Sequence, residues 1–144
     1  MSRLNIYLNF PGNAEEAFNF YKSVFGGEFA SVMRWEDNPG CGDMPSLTEE
    51  DKKRIMHIAL PIGDGNVLMG SDWPGDFAGQ LNPGNNFSVA YSAVSREDAD
   101  RVFASLSADG KVNMPMDNMF WGSYWGSLTD KFGIQWMVDY APSH

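Results

Sequence analysis

The chain of 144 residues has one cysteine, two histidines and 10 basic side chains against 19 acids. Each shortage excludes something. A lone thiol, Cys41, cannot build an intramolecular disulfide framework. Its setting, Pro39-Gly40-Cys41-Gly42-Asp43, places an acid close by, which opposes the lowered pKa a nucleophile needs. No apolar run approaches the roughly 20 residues of a membrane span, and the first residues lack the apolar stretch of a signal peptide. The expected compartment is the cytoplasm, with no membrane partner. The net charge is −9 and no basic cluster exceeds Lys52-Lys53-Arg54, so no face could release counterions from phosphates and no nucleic-acid partner is expected. What is plentiful is apolar: 43% hydrophobic and 14% aromatic residues, enough for a single domain that holds a core without metal or disulfide.

The apolar residues are patterned. Leu4, Ile6, Leu8 and Phe10 alternate with Asn5, Tyr7 and Asn9, the period of a strand with one apolar face. Asn13 with Glu16 reads as a capping box opening a helix. Ala14, Ala17, Phe18, Tyr21 and Val24 form its stripe, and Gly26-Gly27 stops it. A strand is expected over 29–35, a long loop over 37–53 with a short helix at 48–53, and a hairpin over 54–62 and 66–72 turning at Asp64-Gly65. After a Gly, Pro and Asn-rich stretch come a strand at 86–92 and a helix capped by Ser95. Short strands follow near 111–114, 120–128 and 134–140. The order is β-α-β-β-β, twice. A shift of 82 residues superposes Ala17 on Ala99, Tyr21 on Phe103 and Val24 on Leu106, so the expectation is a duplicated unit, about 1–75 and about 84–144.

Several motifs together resemble one family. They are Tyr7-Leu8-Asn9-Phe10-Pro11-Gly12-Asn13-Ala14-Glu15-Glu16-Ala17, then Phe20-Tyr21 and Val24-Phe25-Gly26-Gly27. Met56-His57-Ile58-Ala59-Leu60 and Leu68-Met69-Gly70-Ser71-Asp72 continue the pattern, and Trp121-Gly122 through Thr129-Asp130-Lys131-Phe132-Gly133 to Trp136-Met137 closes it. The combination resembles the PhnB-like branch of the glyoxalase/bleomycin-resistance/dioxygenase (vicinal oxygen chelate) superfamily and spans nearly the whole chain. The resemblance implies an α+β fold of paired βαβββ modules forming a curved mixed sheet with a concave cleft for a small molecule, and it implies a homodimer. It also implies a divalent metal held by His, Gln or Glu on four inward strand positions. Those positions fall here on Ile6 or Tyr7, Met69, Phe87 or Ser88, and Met137. None is His, Asp or Glu, so no metal and no other cofactor is expected.

The residues themselves suggest what stands in its place. Hairpin pairing about Asp64-Gly65 would set His57 opposite Asp72 and Leu60 opposite Met69, putting His57 on the face away from Met69. His57 could serve as a base oriented by a carboxylate, or simply as a satisfied cross-strand imidazole. His144 is the last residue. If the apolar rows face the helices, the opposite rows supply a pocket floor of Asn5, Tyr7, Asn9, Met69, Ser88, Gln135, Met137 and Asp139. In that floor Asp139 is a second candidate base. Trp121 and Tyr124, within an aromatic and Met-rich C-terminal third, are expected as pocket walls or as interface. The expected function is binding of an uncharged polar or aromatic small molecule. Two alternatives remain open: an enzyme of the superfamily with a displaced metal or base, and an interaction domain with a vestigial pocket.

Overall fold

The computed structural model describes residues 4–38, 48–63 and 65–142, the side chains of residues 76 and 77 apart. Cys41, Asp43, Asp64 and His144 lie outside the described residues. The chain divides into two compact units, Met1–Asn82 and Pro83–His144. The first runs β1 (Ile6–Phe10), α1 (Ala14–Phe25), β2 (Ser31–Arg34), α2 (Glu49–Lys53), β3 (Ile55–Ile62) and β4 (Asn66–Asp72). The second runs β5 (Val89–Ser92), α3 (Arg96–Ser107), β6 (Lys111–Asn118), β7 (Tyr124–Thr129) and β8 (Gln135–Tyr140). Each unit holds one four-stranded mixed sheet, ordered β1-β4-β3-β2 and β5-β8-β7-β6. In both, the first strand runs parallel to the last, and the other neighbours are antiparallel. The fold is α+β. The same strand order in both halves is what a repeated βαβββ unit produces.

Helix α1 forms because its apolar residues recur at helical spacing and can all be buried on one side: Ala14, Ala17, Phe18, Tyr21 and Val24. Against the first sheet they meet Leu8, Phe10, Ile58, Leu60 and Leu68, all buried. Phe18 stands edge-on to both Phe10 and Tyr21, with ring centroids 6.1 and 5.6 Å apart. Burying each such side chain contributes on the order of 1.5–3 kcal/mol. The ring of Phe18 lies so close to β4 that only glycine fits opposite it: a Cβ on Gly70 would sit 2.7 Å from Phe18 Cε1. In the second unit Ala99, Val102, Phe103 and Leu106 of α3 pack with Val89, Leu128, Trp136 and Val138. Ser95 caps α3, its Oγ accepting the Asp98 amide at 3.0 Å.

Four expectations need correction. The β3–β4 hairpin pairs Leu60 with Leu68 and Ile58 with Gly70, one residue out of the expected register. Its innermost pair is Ile62 with Asn66, and Gly63 and Gly65 have φ of 63° and 79°. The loop therefore holds three residues rather than two. The slip leaves Asp72 on the helix-covered face, where it was expected, and moves His57 to the face of Met69. Asn13 occupies the N-cap position of α1 without a side-chain capping bond. That task falls to Asp72, whose Oδ1 accepts the Ala14 amide at 2.9 Å. Leu4 and Ile6 are 98% and 41% exposed, so only Leu8 and Phe10 of that row are covered. Phe87, within the strand expected over 86–92, instead precedes β5 and is 64% exposed.

Candidate functional site

In each unit a helix covers one face of the sheet, which leaves a second, helix-free face to carry chemistry. In the first unit strand register assembles that face from four rows. Tyr7 pairs with Met69 and Asn9 with Ser71. Met69 pairs with Ala59, Ala59 with Ser31, and Met33 with His57. The two charged side chains within these strands, Arg34 and Asp72, turn the other way. Arg34 bonds Glu15 of α1 at 2.6 Å, and Asp72 accepts the amides of Ala14 and Ile55, each at 2.9 Å. Burial pushes the Asp72 carboxyl upward, although those amides and Arg54 pull against it. What remains on the helix-free face is thioether, hydroxyl, amide, phenol and imidazole.

The last two touch. Tyr7 Oη lies 3.4 Å from His57 Nδ1, and the ring centroids are 5.8 Å apart with planes tilted by 33°. Tyr7 is 44% exposed and His57 half-buried. His57 therefore shares its face with Tyr7, Met33 and Met69, and Asp72 lies on the other. Asn5 and Asn9 are exposed, Asn9 in β1 and Asn5 just ahead of it.

The second unit presents a different surface. Its helix-free face carries Gln135, Met137 and Asp139 from β8, with Thr129, Ser127 and Trp125 paired to them from β7. Ala90 and Ser92 of β5 flank Met137 and Asp139. Lys111 and Asp117 stand opposite Thr129 and Trp125, so charges of both signs occupy this face. Gln135 is already engaged: its amide nitrogen donates to the carbonyls of Gly84 and Phe87 at 3.2 and 3.0 Å, fastening the segment that leads into β5. An open cavity of about 610 Å³ at this end is lined by polar groups including Lys111, Asn113, Thr129 and Gln135. Asp139 accepts the Ser92 hydroxyl at 3.0 Å and borders a second hollow of about 540 Å³. Ser88 is exposed and lies outside β5.

The aromatic candidates part company. Tyr124 faces α3, its hydroxyl donating to Asp100 and its ring lying under the Arg96 guanidinium at 3.9 Å, so it does not join the helix-free face. The Asp100 bond, with partial burial, raises its pKa. Trp121 sits in the β6–β7 loop, edge-on to Phe120 at 5.1 Å and to Trp125 at 6.4 Å. Phe120 and Trp121 are 98% and 56% exposed.

A divalent metal can be tested against these donors. The four positions that the family resemblance assigns to metal ligands offer Ile6 or a phenol (Tyr7), two thioethers (Met69 and Met137), and Phe87 or a hydroxyl (Ser88). Hard divalent ions favour carboxylate, and the borderline ions of the first transition row favour imidazole, over all of these. Among the described residues no group of three His, Cys, Asp or Glu comes together to hold an ion. The residues described do not fit such an ion.

Sequence reasoning missed Met33, Ser71 and Trp125. The strand carrying Met33 was legible, but its faces were not. Ser71 was legible from alternation with Met69. The register error displaced His57 instead, and its available signal was the Gly-x-Gly pattern at 63–65: two glycines, each able to adopt positive φ, suit a three-residue loop.

Comparison with known proteins agrees with this architecture. The sequence profile of the Glyoxalase/Bleomycin resistance protein/Dioxygenase superfamily matches residues 3–138. Protein YjdN of Escherichia coli K12 is 27% identical over 141 residues, covering 94% of this chain and 93% of that one. The crystal structure of PA1353 from Pseudomonas aeruginosa superposes with a TM-score of 0.81, at 30% identity over 98% of both chains. A PhnB protein from Bacillus cereus, described as a putative 3-demethylubiquinone-9 3-methyltransferase, superposes with a TM-score of 0.72. It is 27% identical, over 97% of this chain and all of the other. Among the described residues no helix is long and apolar enough to cross a membrane.

Proposed function

The chain belongs to the glyoxalase/bleomycin resistance protein/dioxygenase superfamily, and from that premise we propose that it is a small-molecule binding protein acting without the superfamily's metal. The observation that carries this reading is the helix-free face of the first sheet. In a chain with 29 charged side chains, that face carries neutral hydrogen-bonding groups and two thioethers, with Arg34 and Asp72 turned away. Such a surface orients an uncharged ligand through a few polar contacts and offers it apolar area. Asn5, Tyr7, Asn9 and Met69 would contribute from the first unit. Ser88, Trp121, Gln135 and Met137 are proposed separately as ligand contacts of the second unit by itself, Gln135 through its carbonyl because its amide is engaged. The proposed setting is cytoplasmic, and the proposed assembly is a homodimer.

Two measurements on the full chain test this reading. A thermal-shift screen with neutral aromatic and polar fragments should find compounds that raise Tm, because a ligand of the native state stabilises it by mass action. Elemental analysis of protein purified without a metal-binding tag should find less than stoichiometric zinc, nickel, iron or manganese. Stoichiometric metal, lost on substituting helix-free-face residues, would overturn the reading.

One observation favours a second reading, an enzyme of the superfamily with a displaced base. The Tyr7–His57 contact supplies an imidazole within hydrogen-bonding reach of a phenol on an accessible face. Turnover that disappears in His57→Gln while fragment binding persists would decide for it.

A further inference from the structure

We infer that the helix-free face of the second unit binds a small organic cation, an alkylammonium, seated against Trp125 beside Asp139. This rests on the binding reading above for that unit and adds the charge of its ligand. Strand register builds the site. Ser92 pairs with Asp139, Asp139 with Trp125, and Trp125 with Asp117, so one row across four strands reads Ser, Asp, Trp, Asp. Partners in register share a face, with their Cβ atoms about 5 Å apart. An indole thus stands between two carboxylates, one on each neighbouring strand. Trp121 closes in edge-on, its ring centroid 6.4 Å from that of Trp125 and the planes at 66°. The quadrupole of an indole attracts an ammonium group, and a carboxylate alongside adds Coulomb attraction.

The unit's own bases leave this place to a ligand. Asp139 Oδ1 accepts the Ser92 hydroxyl at 3.0 Å, and Asp117 Oδ1 accepts the Asn118 amide at 2.8 Å. Both donors are neutral, and among the described residues neither carboxylate forms an ion pair. The basic side chains of the unit, Arg96, Arg101, Lys111 and Lys131, lie elsewhere. Arg96 covers Tyr124 on the α3 side and bonds Asn118, and Arg101 pairs with Asp98. Lys111 stands opposite Thr129, four residues along β7 from Trp125 and so about 13 Å away, and Lys131 follows in the β7–β8 turn. Carboxylates beside an aromatic ring with no base between them complement a cation, and the net charge of −9 draws cations towards the chain. Among the described residues no three His, Cys, Asp or Glu gather to hold a metal ion. An organic cation, which a ring can recognise, fits this row better.

The test titrates the full chain, at physiological ionic strength, with tetramethylammonium and with tert-butyl alcohol, a neutral compound of similar size and shape. The indole N–H signals are followed by NMR. Tetramethylammonium is expected to shift Trp121 and Trp125 and to bind about fivefold more tightly than the alcohol. Asp139→Asn, which keeps an acceptor for Ser92, should remove most of that preference while the affinity for the alcohol stays unchanged. Should that variant fail to fold, Asp117→Asn, at an exposed position, should lower the preference in the same direction. Equal affinities, or a preference that survives both substitutions, overturns this inference and leaves the binding reading standing, since the alcohol still occupies the unit. Shifts of the same size at Trp35 and Trp73, which belong to the first unit, would show a general attraction to an acidic chain and overturn it as well. If neither compound moves Trp121 or Trp125, this inference and the ligand contacts proposed for the second unit both fall.

Discussion

The carboxylate of Asp72, at the end of β4, accepts the amide of Ala14 at the start of α1 at 2.9 Å, and its other oxygen accepts the amide of Ile55 at the same distance. One buried side chain thus fastens the helix and two strands. Replacing it with Asn would turn one acceptor into a donor facing an N–H group. Asp72→Asn is expected to destabilise the fold by about 1–3 kcal/mol, the cost of leaving buried polar groups unpaired. Urea denaturation followed by circular dichroism measures this; an unchanged midpoint would show that the capping role assigned to Asp72 is mistaken.

Gly70 holds the same interface by absence. A Cβ there would stand 2.7 Å from Phe18 Cε1 and 2.8 Å from the carbonyl oxygen of Leu8, and the second of these is backbone that cannot swing aside. Gly70→Ala is therefore expected to cost about 1–3 kcal/mol through overpacking. Gly63→Ala meets no atom within 4 Å, so its cost comes only from φ of 63°. That cost should be nearer 1 kcal/mol, typical of a non-glycine residue held in the left-handed region. Comparing the two midpoints separates steric from conformational cost.

How much of this was legible in the sequence follows from the range of the forces involved. Helices α1 and α3 announced themselves because their stripes are local and periodic. The turn at Asp130 is equally local, since its carboxylate accepts the amides of Phe132 and Ile134, two and four residues on. The third partner of that carboxylate, Trp136 Nε1 at 2.9 Å, comes from the next strand and left no local sign. Asp72 is the clearest case. Its partners lie 58 and 17 residues away, so the nearby Asn13 was a natural but mistaken choice for the cap. The candidate site suffered most, because faces depend on register, and a hairpin one residue longer in the loop inverts every side chain of a strand. His57 moved from the face of Asp72 to the face of Tyr7 for that reason alone.

The exposed loop between β6 and β7 bears on assembly. Phe120 and Trp121, 98% and 56% exposed and edge-on to each other, place two large aromatic side chains in solvent within one unit. Size-exclusion chromatography with light scattering is expected to show a dimer at tens of micromolar protein. A Phe120→Ser, Trp121→Ser double variant should shift that equilibrium towards monomer. A wild-type monomer at that concentration would refute the proposed assembly.

The last prediction concerns alkaline pH. Tyr91 in β5 donates its hydroxyl to Asp98 of α3 at 2.7 Å, and Asp98 also accepts the Val94 amide and pairs with Arg101. Burial, with the Asp98 carboxylate as acceptor and as a nearby negative charge, pushes the Tyr91 phenol from 10.0 up to about 12. The folded state therefore keeps this proton through a range in which the unfolded chain has released it. Because the folded value is the higher one, the stability that Tyr91 contributes is complete below pH 10 and is lost as pH rises through about 12. The stability advantage of wild type over Tyr91→Phe should thus be constant from neutral pH to about 10 and shrink above it. The spectrophotometric titration of phenolate in native protein should show one late-ionising tyrosine missing from the variant. A tyrosine that ionises near 10 and disappears in Tyr91→Phe would show that the bond to Asp98 does not hold in solution.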